Sequence, residues 1–320
     1  MRALQFDRTG SLEHLKLVEL PVPKSRAGDV LVRVTAAGVN PSDVKNVLGR
    51  FAYTTLPRVP GRDFAGEIIA GPSSRIGQRV FGSGKELGFT ADGSHAGFVA
   101  VPEDGVAAMP EGLSAAQAAS IGVPYVTAWD GLEKAGAHGG ARVLIIGAGA
   151  VGRAAFALAH WRGANAVVAV RRSEQAQELA ALGYSVILLG AETLSGALPA
   201  AFNGAADVVF DTTGAWTAAC IEVLAPFGRL VIIAAPSSGK VELPTLSLYR
   251  RGGSLIGVNS LLYDTRACAR ILEHLAQGFV SGGLRLSCQP VEWAAEDGVG
   301  AYRALERGSS EKIVLTDFAS

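Results

Sequence analysis

Apolar and polar positions follow two different periods along this chain, and the change from one to the other divides it. Near the start, Arg2-Ala3-Leu4-Gln5-Phe6 and Leu15-Lys16-Leu17-Val18-Glu19-Leu20 alternate, as half-buried strands do. Pro21, Pro23 and Gly28-Asp29 mark a turn into a third strand over residues 30–37, where Leu31-Val32-Arg33-Val34 alternates again. Asn40-Pro41-Ser42-Asp43 opens a short helix, with proline in its first turn and an acid near the positive end of its dipole. Further strands are predicted over 64–70, 78–81 and 96–101. Many short strands joined by Gly/Pro turns describe a compact, barrel-like β domain.

The period lengthens near Ser114. Residues 114–120 and 126–135 read as helices. From Arg142 onward, apolar strands alternate with helix formers. Strands are predicted at 142–146, 166–170, 185–189, 207–210, 229–234 and 254–258, with one helix over 153–161 and another capped by Ser173 and running to about Leu182. Repeated βαβ units make a doubly wound parallel sheet of the Rossmann type. The tail, with helices at 265–277 and 296–307 and a strand at 312–315, returns to the first domain. The fold class is therefore α/β: a Rossmann domain over 121–261 and a β-barrel domain from 1–120 with 262–320.

The strand ending at Ile146 runs straight into Gly147-Ala148-Gly149-Ala150-Val151-Gly152 and then an alanine-rich helix. Strand, glycine turn and helix together are the context in which such a motif binds a dinucleotide. Gly147 permits the tight turn, Gly149 lets a pyrophosphate approach the backbone, and Gly152 lets helix and strand pack closely. The free N–H groups at the helix start favour phosphate charge. The next strand closes with Val170-Arg171-Arg172-Ser173. An acid there would hold the 2′-hydroxyl of NAD, whereas a guanidinium grips the 2′-phosphate of NADP. Arg171 and Arg172 therefore point to NADPH.

Composition narrows the partners. The chain has 320 residues, 49% of them hydrophobic, with 29 basic and 29 acidic side chains and no formal net charge. That balance argues for a small-molecule substrate and against nucleic acid or an anionic membrane surface. Cys220, Cys268 and Cys288 share no close spacing, and His14, His95, His138, His160 and His274 are scattered, so no metal site is expected. The first residues lack the apolar core of a signal peptide, and Arg153 interrupts the longest apolar run. The expected location is the cytoplasm.

With these motifs in hand, the chain resembles the medium-chain dehydrogenase/reductase superfamily, and within it the zinc-free quinone oxidoreductase and enone reductase branch. The resemblance rests on Gly38-Val39-Asn40-Pro41-Ser42-Asp43-Val44-Lys45, Pro60-Gly61-Arg62-Asp63-Phe64-Ala65-Gly66, Pro124 with Thr127-Ala128-Trp129, the Gly147 turn, and Phe210-Asp211-Thr212-Thr213-Gly214. It implies that the β domain is a GroES-like catalytic domain, with the active site in a cleft beside the cofactor domain. Zinc-dependent relatives carry Cys where this chain has Asn40 and His where it has Arg62. Without zinc, reduction of quinones or α,β-unsaturated carbonyls is the chemistry expected, because the negative charge spreads over an enolate or hydroquinone anion that a few donors can stabilise.

The resemblance also supplies candidates. Asn40 can donate to a substrate carbonyl, or serve as a helix N-cap before Pro41. Asp43 follows on the same helix. Lys45 resembles an active-site lysine of plant-type enone reductases; it could equally pair with Asp43 or lie in solvent. Tyr53 is a further candidate. Thr127 would contact the nicotinamide ribose, Thr213 the cofactor, and Val258-Asn259 the carboxamide edge. The same edge strand would pair across a two-fold axis in a homodimer. One departure stands out: the family commonly has Gly-Lys before the last strand, and this chain has Glu311-Lys312. Two other readings stay open, a zinc alcohol dehydrogenase with unusual ligands and a catalytically silent NADPH-binding protein.

Overall fold

The computed structural model describes residues 1–189, 194–202 and 204–318. It contains two compact units, Met1–Val126 with Ser260–Ser320, and Thr127–Asn259.

The first unit begins with β1 (Arg2–Phe6) and β2 (Leu15–Glu19), which pair antiparallel. Next come β3 (Asp29–Gly38), α1 (Pro41–Val47), β4 (Asp63–Ala70), β5 (Arg79–Gly82), β6 (Phe98–Pro102) and β7 (Ala107–Ala108). Then follow α2 (Ala115–Ala119) and α3 (Gly122–Lys134). The second unit holds β8 (Arg142–Ile146), α4 (Ala150–Trp161), β9 (Asn165–Val170), α5 (Ser173–Ala181), β10 (Val186–Leu188), α6 (Leu194–Phe202) and β11 (Ala206–Asp211). It continues through α7 (Thr217–Glu222), β12 (Leu224–Ile232), α8 (Thr245–Arg250) and β13 (Ser254–Gly257). The chain then returns to the first unit with α9 (Thr265–Val280), β14 (Val291–Ala294), α10 (Gly298–Glu306) and β15 (Ile313–Thr316).

β3 is the spine of the first unit. One of its edges pairs with β4; the other is shared by β6 along Asp29–Arg33 and by β15 at Ala37 and Gly38, all antiparallel. The seven-stranded sheet runs β14-β15-β3-β4-β5-β7, with β6 beside β3. Leu4, Phe6, Val32, Phe64, Ile68 and Leu315 bury the apolar phase of these alternating strands in one core. In the second unit six parallel strands lie in the order β10-β9-β8-β11-β12-β13. That is the doubly wound order 3-2-1-4-5-6, in which ligands bind outside the carboxyl ends of the strands where the order reverses, here between β8 and β11.

Several local expectations need correction. Ser173 is the first residue of α5, not its cap; Arg172 takes the N-cap position, and the Ser173 hydroxyl donates to the Glu174 carboxylate at 3.1 Å. α4 starts at Ala150 rather than Arg153, so Gly149 is its N-cap and Gly152 lies inside the helix. α3 starts at Gly122 and runs without a break across the junction of the two units. A boundary inside a continuous helix leaves no turn residues in the sequence to mark it. β7, β14 and α8 were not foreseen; at two, four and six residues they are too short to display a period. Among the described residues, no helix is long and apolar enough to cross a membrane.

Candidate functional site

In the first unit, register brings together residues far apart in sequence. Gly38 at the end of β3 pairs with Asp63 at the start of β4, and with Val314 of β15. Asn40, Asp63 and Lys312 therefore emerge at one end of the sheet. Their relative exposures are 2%, 0% and 4%. Asn40 Nδ2 donates to Asp63 Oδ2 at 2.8 Å, and Lys312 Nζ donates to Asn40 Oδ1 at 2.8 Å and to the Val39 carbonyl at 3.3 Å. Lys312 Nζ also lies 3.5 Å from Asp63 Oδ2. Asp63 Oδ1 accepts from the Val123 amide in the first turn of α3 at 2.9 Å.

Asn40 precedes α1, but its side chain faces Asp63 and Lys312 instead of the helix. The capping bond comes from Asp43, whose Oδ2 accepts from the Asn40 amide N–H at 2.8 Å. Asp43 is buried, and its Oδ1 has no hydrogen-bond partner among the described residues. Burial, reinforced by the negative charge of Asp63, pushes the Asp43 carboxyl up to about 7, although the Asn40 N–H, Arg62 and Lys312 act the other way. Lys45 lies two residues further on, on the opposite face of α1, and is exposed. Among the described residues it makes no ion pair with Asp43. Tyr53 is half exposed and stacks on Phe89 with ring centroids 5.7 Å apart.

Arg62, Asp63, His95, Tyr302 and Lys312 are buried here and were not singled out as site residues from the sequence. The Arg62 guanidinium donates to the Gly84 carbonyl at 2.9 Å, to the Ser260 hydroxyl at 3.2 Å and to the Ser260 carbonyl at 3.0 Å. His95 Nε2 lies 3.2 Å from the Gly38 carbonyl, and its Nδ1 lies 2.8 Å from the Tyr302 hydroxyl. A carbonyl can only accept, so Nε2 carries the proton and Tyr302 donates to Nδ1. Burial holds the His95 pKa down to about 4, which keeps the ring neutral. Gly61, at φ 97°, makes room for it: a Cβ there would meet His95 Cδ2 at 2.3 Å. The sequence marks Arg62 only as a cation where zinc-dependent relatives have His, and Lys312 only as the second residue of Glu311-Lys312 before the last strand.

Asp43 makes a pH prediction. Its folded pKa lies above the unfolded value of 3.8, so between about 4 and 7 the folded state binds more protons than the unfolded chain. This contribution to stability is full below about pH 4 and is lost as pH rises through 7. Urea midpoints at pH 5 and pH 8 should therefore differ less in Asp43→Asn than in the wild type. An equal pH slope in both proteins would refute the assignment.

In the second unit the Gly147 turn follows β8, beside the carboxyl ends of β9 and β11. Gly147 has φ 91°, which a residue with a Cβ adopts only under strain. A Cβ on Gly149 would meet nothing within 4 Å, so the cradle at the start of α4 is open. Ala150 and Val151 form the first turn of α4 and are half-buried. A Cβ on Gly152 would lie 2.1 Å from the Gly147 carbonyl oxygen, so the third glycine serves the turn itself. Gly152→Ala should weaken NADPH and NADH binding alike, by about tenfold or more, since overpacking of this kind costs ~1–3 kcal/mol. Dissociation constants from fluorescence titration would check it, and unchanged affinity would refute it.

Arg171 and Arg172 follow β9, one strand over, and are exposed. Among the described residues neither makes a hydrogen bond or ion pair. Thr212 and Thr213 follow β11; the Thr212 hydroxyl donates to the Ile146 carbonyl at 2.7 Å, and a Cβ on Gly147 would lie 3.1 Å from Thr213 Cγ2. The Thr213 hydroxyl donates to Asp211 Oδ1 at 2.8 Å, in a turn that also binds the Gly214 N–H. Arg153 was not foreseen either: its guanidinium donates to the Ala148 carbonyl inside the glycine turn at 3.1 Å and pairs with Glu178 at 2.7 Å. Thr127 is buried in α3, Val258 is buried after β13 with its N–H on the Ile232 carbonyl at 3.0 Å, and Asn259 is exposed.

Residues 26–111 match the family model described as alcohol dehydrogenase GroES-like domain, and residues 150–277 match the one described as zinc-binding dehydrogenase. Over 330 aligned residues the chain is 33% identical to a zinc-type alcohol dehydrogenase-like protein of Schizosaccharomyces pombe, covering 99% of this chain and 96% of that one. It is 35% identical to a 2-methylene-furan-3-one reductase of Solanum lycopersicum over 245 residues, which covers 73% of this chain and 62% of the relative. Quinone oxidoreductases are also among its homologues. A solved structure titled NAD-dependent alcohol dehydrogenase superposes with a TM-score of 0.88 at 27% identity, covering 99% of each chain. With a GroES-like unit, a Rossmann unit in the 3-2-1-4-5-6 order and full-length similarity, the chain belongs to the medium-chain dehydrogenase/reductase superfamily.

Proposed function

We propose that this protein is a zinc-independent, NADPH-dependent oxidoreductase that reduces quinones or α,β-unsaturated carbonyls. The observation that carries the reading is the donor set where zinc-dependent relatives have their ligands. Arg62 is a guanidinium spent on backbone and serine oxygens, and Asn40 is an amide with its oxygen on an ammonium and its nitrogen on a carboxylate. A guanidinium cannot ligate a dication, the Asn40 oxygen is already taken by Lys312, and the positive charges of Arg62 and Lys312 repel one. These residues do not fit zinc, and the reaction is derived without it.

The nucleotide turn does fit a dinucleotide. The N–H groups at the start of α4, with Gly147, Gly149, Ala150, Val151 and Gly152, would hold the pyrophosphate in the open cradle. Arg171 and Arg172 would bind the 2′-phosphate; Thr127, Thr213, Val258 and Asn259 would border the rest. When bound, NADPH supplies hydride. The protein's part is to stabilise the anion formed on the substrate. Asn40 has a second Nδ2 proton that no described residue accepts, available to the substrate oxygen. Lys45 can bring an ammonium from solvent, and below about pH 7 Asp43 holds a proton beside Asn40.

The test is oxidation of NADPH with a panel of 2-alkenals, 2-enones and quinones in the presence of EDTA. Turnover that survives the chelator supports the reading. Silence across the panel, or loss of activity with EDTA and stoichiometric zinc in the purified protein, overturns it.

The homodimer follows the same reading. β13 is the end strand of its sheet, with Leu255 exposed, and Phe227, Leu246 and Tyr249 are exposed in the same unit. An uncovered apolar edge of this kind invites pairing with a second copy. Leu255→Pro, which removes an N–H on the side of β13 that faces away from β12, should convert a dimer to a monomer in sedimentation; a monomeric wild type would refute the assignment.

A further inference from the structure

We propose that Lys312 is a positioning residue for the reduction: its buried ammonium dictates which way the Asn40 amide faces. The inference rests on the reading that Asn40 donates to the substrate oxygen.

An amide can turn its oxygen and nitrogen end for end at little cost, and a catalytic donor that does so presents the wrong group half the time. Asn40 sits between two partners that each accept only one orientation. An ammonium has donors and no acceptor, so it faces Oδ1; an ionised carboxylate only accepts, so it faces Nδ2. The observed contacts, Lys312 Nζ to Oδ1 at 2.8 Å and Nδ2 to Asp63 Oδ2 at 2.8 Å, match that requirement at both ends. Asp63 is itself fixed by the Val123 N–H on its other oxygen. The remaining Nδ2 proton therefore points in one determined direction.

The surroundings are built for this cation. A Cβ on Gly38 would lie 2.4 Å from the Ala119 carbonyl oxygen and 3.1 Å from Lys312 Nζ, so the glycine that lets α2 approach β3 also leaves the ammonium its space. Lys312 stands immediately before β15, whose pairing with β3 carries it to the strand end that Asn40 follows. Stability alone does not account for a lysine here. A buried ion pair is often no more stabilising than an apolar residue of the same volume, and its retention is better explained where it specifies a geometry.

The experiment is a double-mutant cycle on turnover with an enone, using Lys312→Met, Asn40→Ala and the double variant, with melting temperature and the NADPH dissociation constant measured in each. Lys312→Met should lower kcat by at least about tenfold, leaving NADPH affinity within about twofold; in the Asn40→Ala background the same change should alter kcat by less than about twofold, because residues that act as one unit are not additive. A folded Lys312→Met with wild-type kcat, or one whose loss multiplies fully onto that of Asn40→Ala, overturns the proposal. If Asn40→Ala alone turns over like the wild type, the reading beneath it has failed instead. Should Lys312→Met not fold, the cycle is run with Lys312→Gln. Its amide both donates and accepts and so no longer dictates the orientation of Asn40; the same loss and the same coupling are required of it, and their absence overturns the proposal equally.

Discussion

Replacing Arg171 and Arg172 together with alanine is expected to raise the dissociation constant for NADPH about 100-fold while changing that for NADH no more than about threefold. Both side chains are exposed at the carboxyl end of β9, the strand beside the one that feeds the glycine turn, and neither has a hydrogen-bond partner among the described residues. They are free to turn toward a phosphate. A hydrogen bond to a charged group contributes ~1.5–3 kcal/mol. Exposure to solvent argues for the low end of that range, and two such contacts then give ~3 kcal/mol, or about a factor of 100. The discrimination should shrink as salt is raised, because exposed charges are screened. Equal weakening of both cofactors would mean that the arginines support the strand end without reading the 2′-phosphate.

Asn40→Ala should lower kcat by about 100-fold with little change in NADPH affinity, since loss of one donor to a developing oxyanion costs ~10²–10³ in rate. The glycine turn and the arginines lie in the other unit, so the cofactor site is left intact. The substitution also strips Lys312 of its best acceptor and Asp63 of a donor, both at least 96% buried, so a fall in melting temperature is expected alongside. Single-turnover kinetics at saturating NADPH separate the two effects. A variant that is less stable but transfers hydride at the wild-type rate would show that Asn40 holds the sheet ends together and nothing more.

The Rossmann half of this protein was legible in its sequence because its parts are local. A glycine turn, the strand before it and the helix after it occupy consecutive positions, and the arginines end the very next strand. The φ of Gly147 and the contact between Gly152 and the Gly147 carbonyl are set within six residues of chain. Period, turn residues and the change from alternation to βαβ repeats likewise reveal most strands to within a residue or two. Caps were read less well: Ser173 and Arg172 differ by one position, and the pattern around them carries no information at that resolution.

The other half was decided by tertiary structure. Asn40 meets Asp63 across 23 residues and Lys312 across 272, and only the register of β3 with β4 and β15 joins them. Helix geometry put Asp43 inside and Lys45 outside, although the two looked equivalent as neighbours in a motif. Burial then raised the Asp43 carboxyl and kept His95 neutral. Sequence by itself determined the course of the glycine turn, since that depends on local φ and the absence of side chains. Which charges face one another in a dry interior depends on strand pairing between distant segments, and that is a property of the folded chain alone.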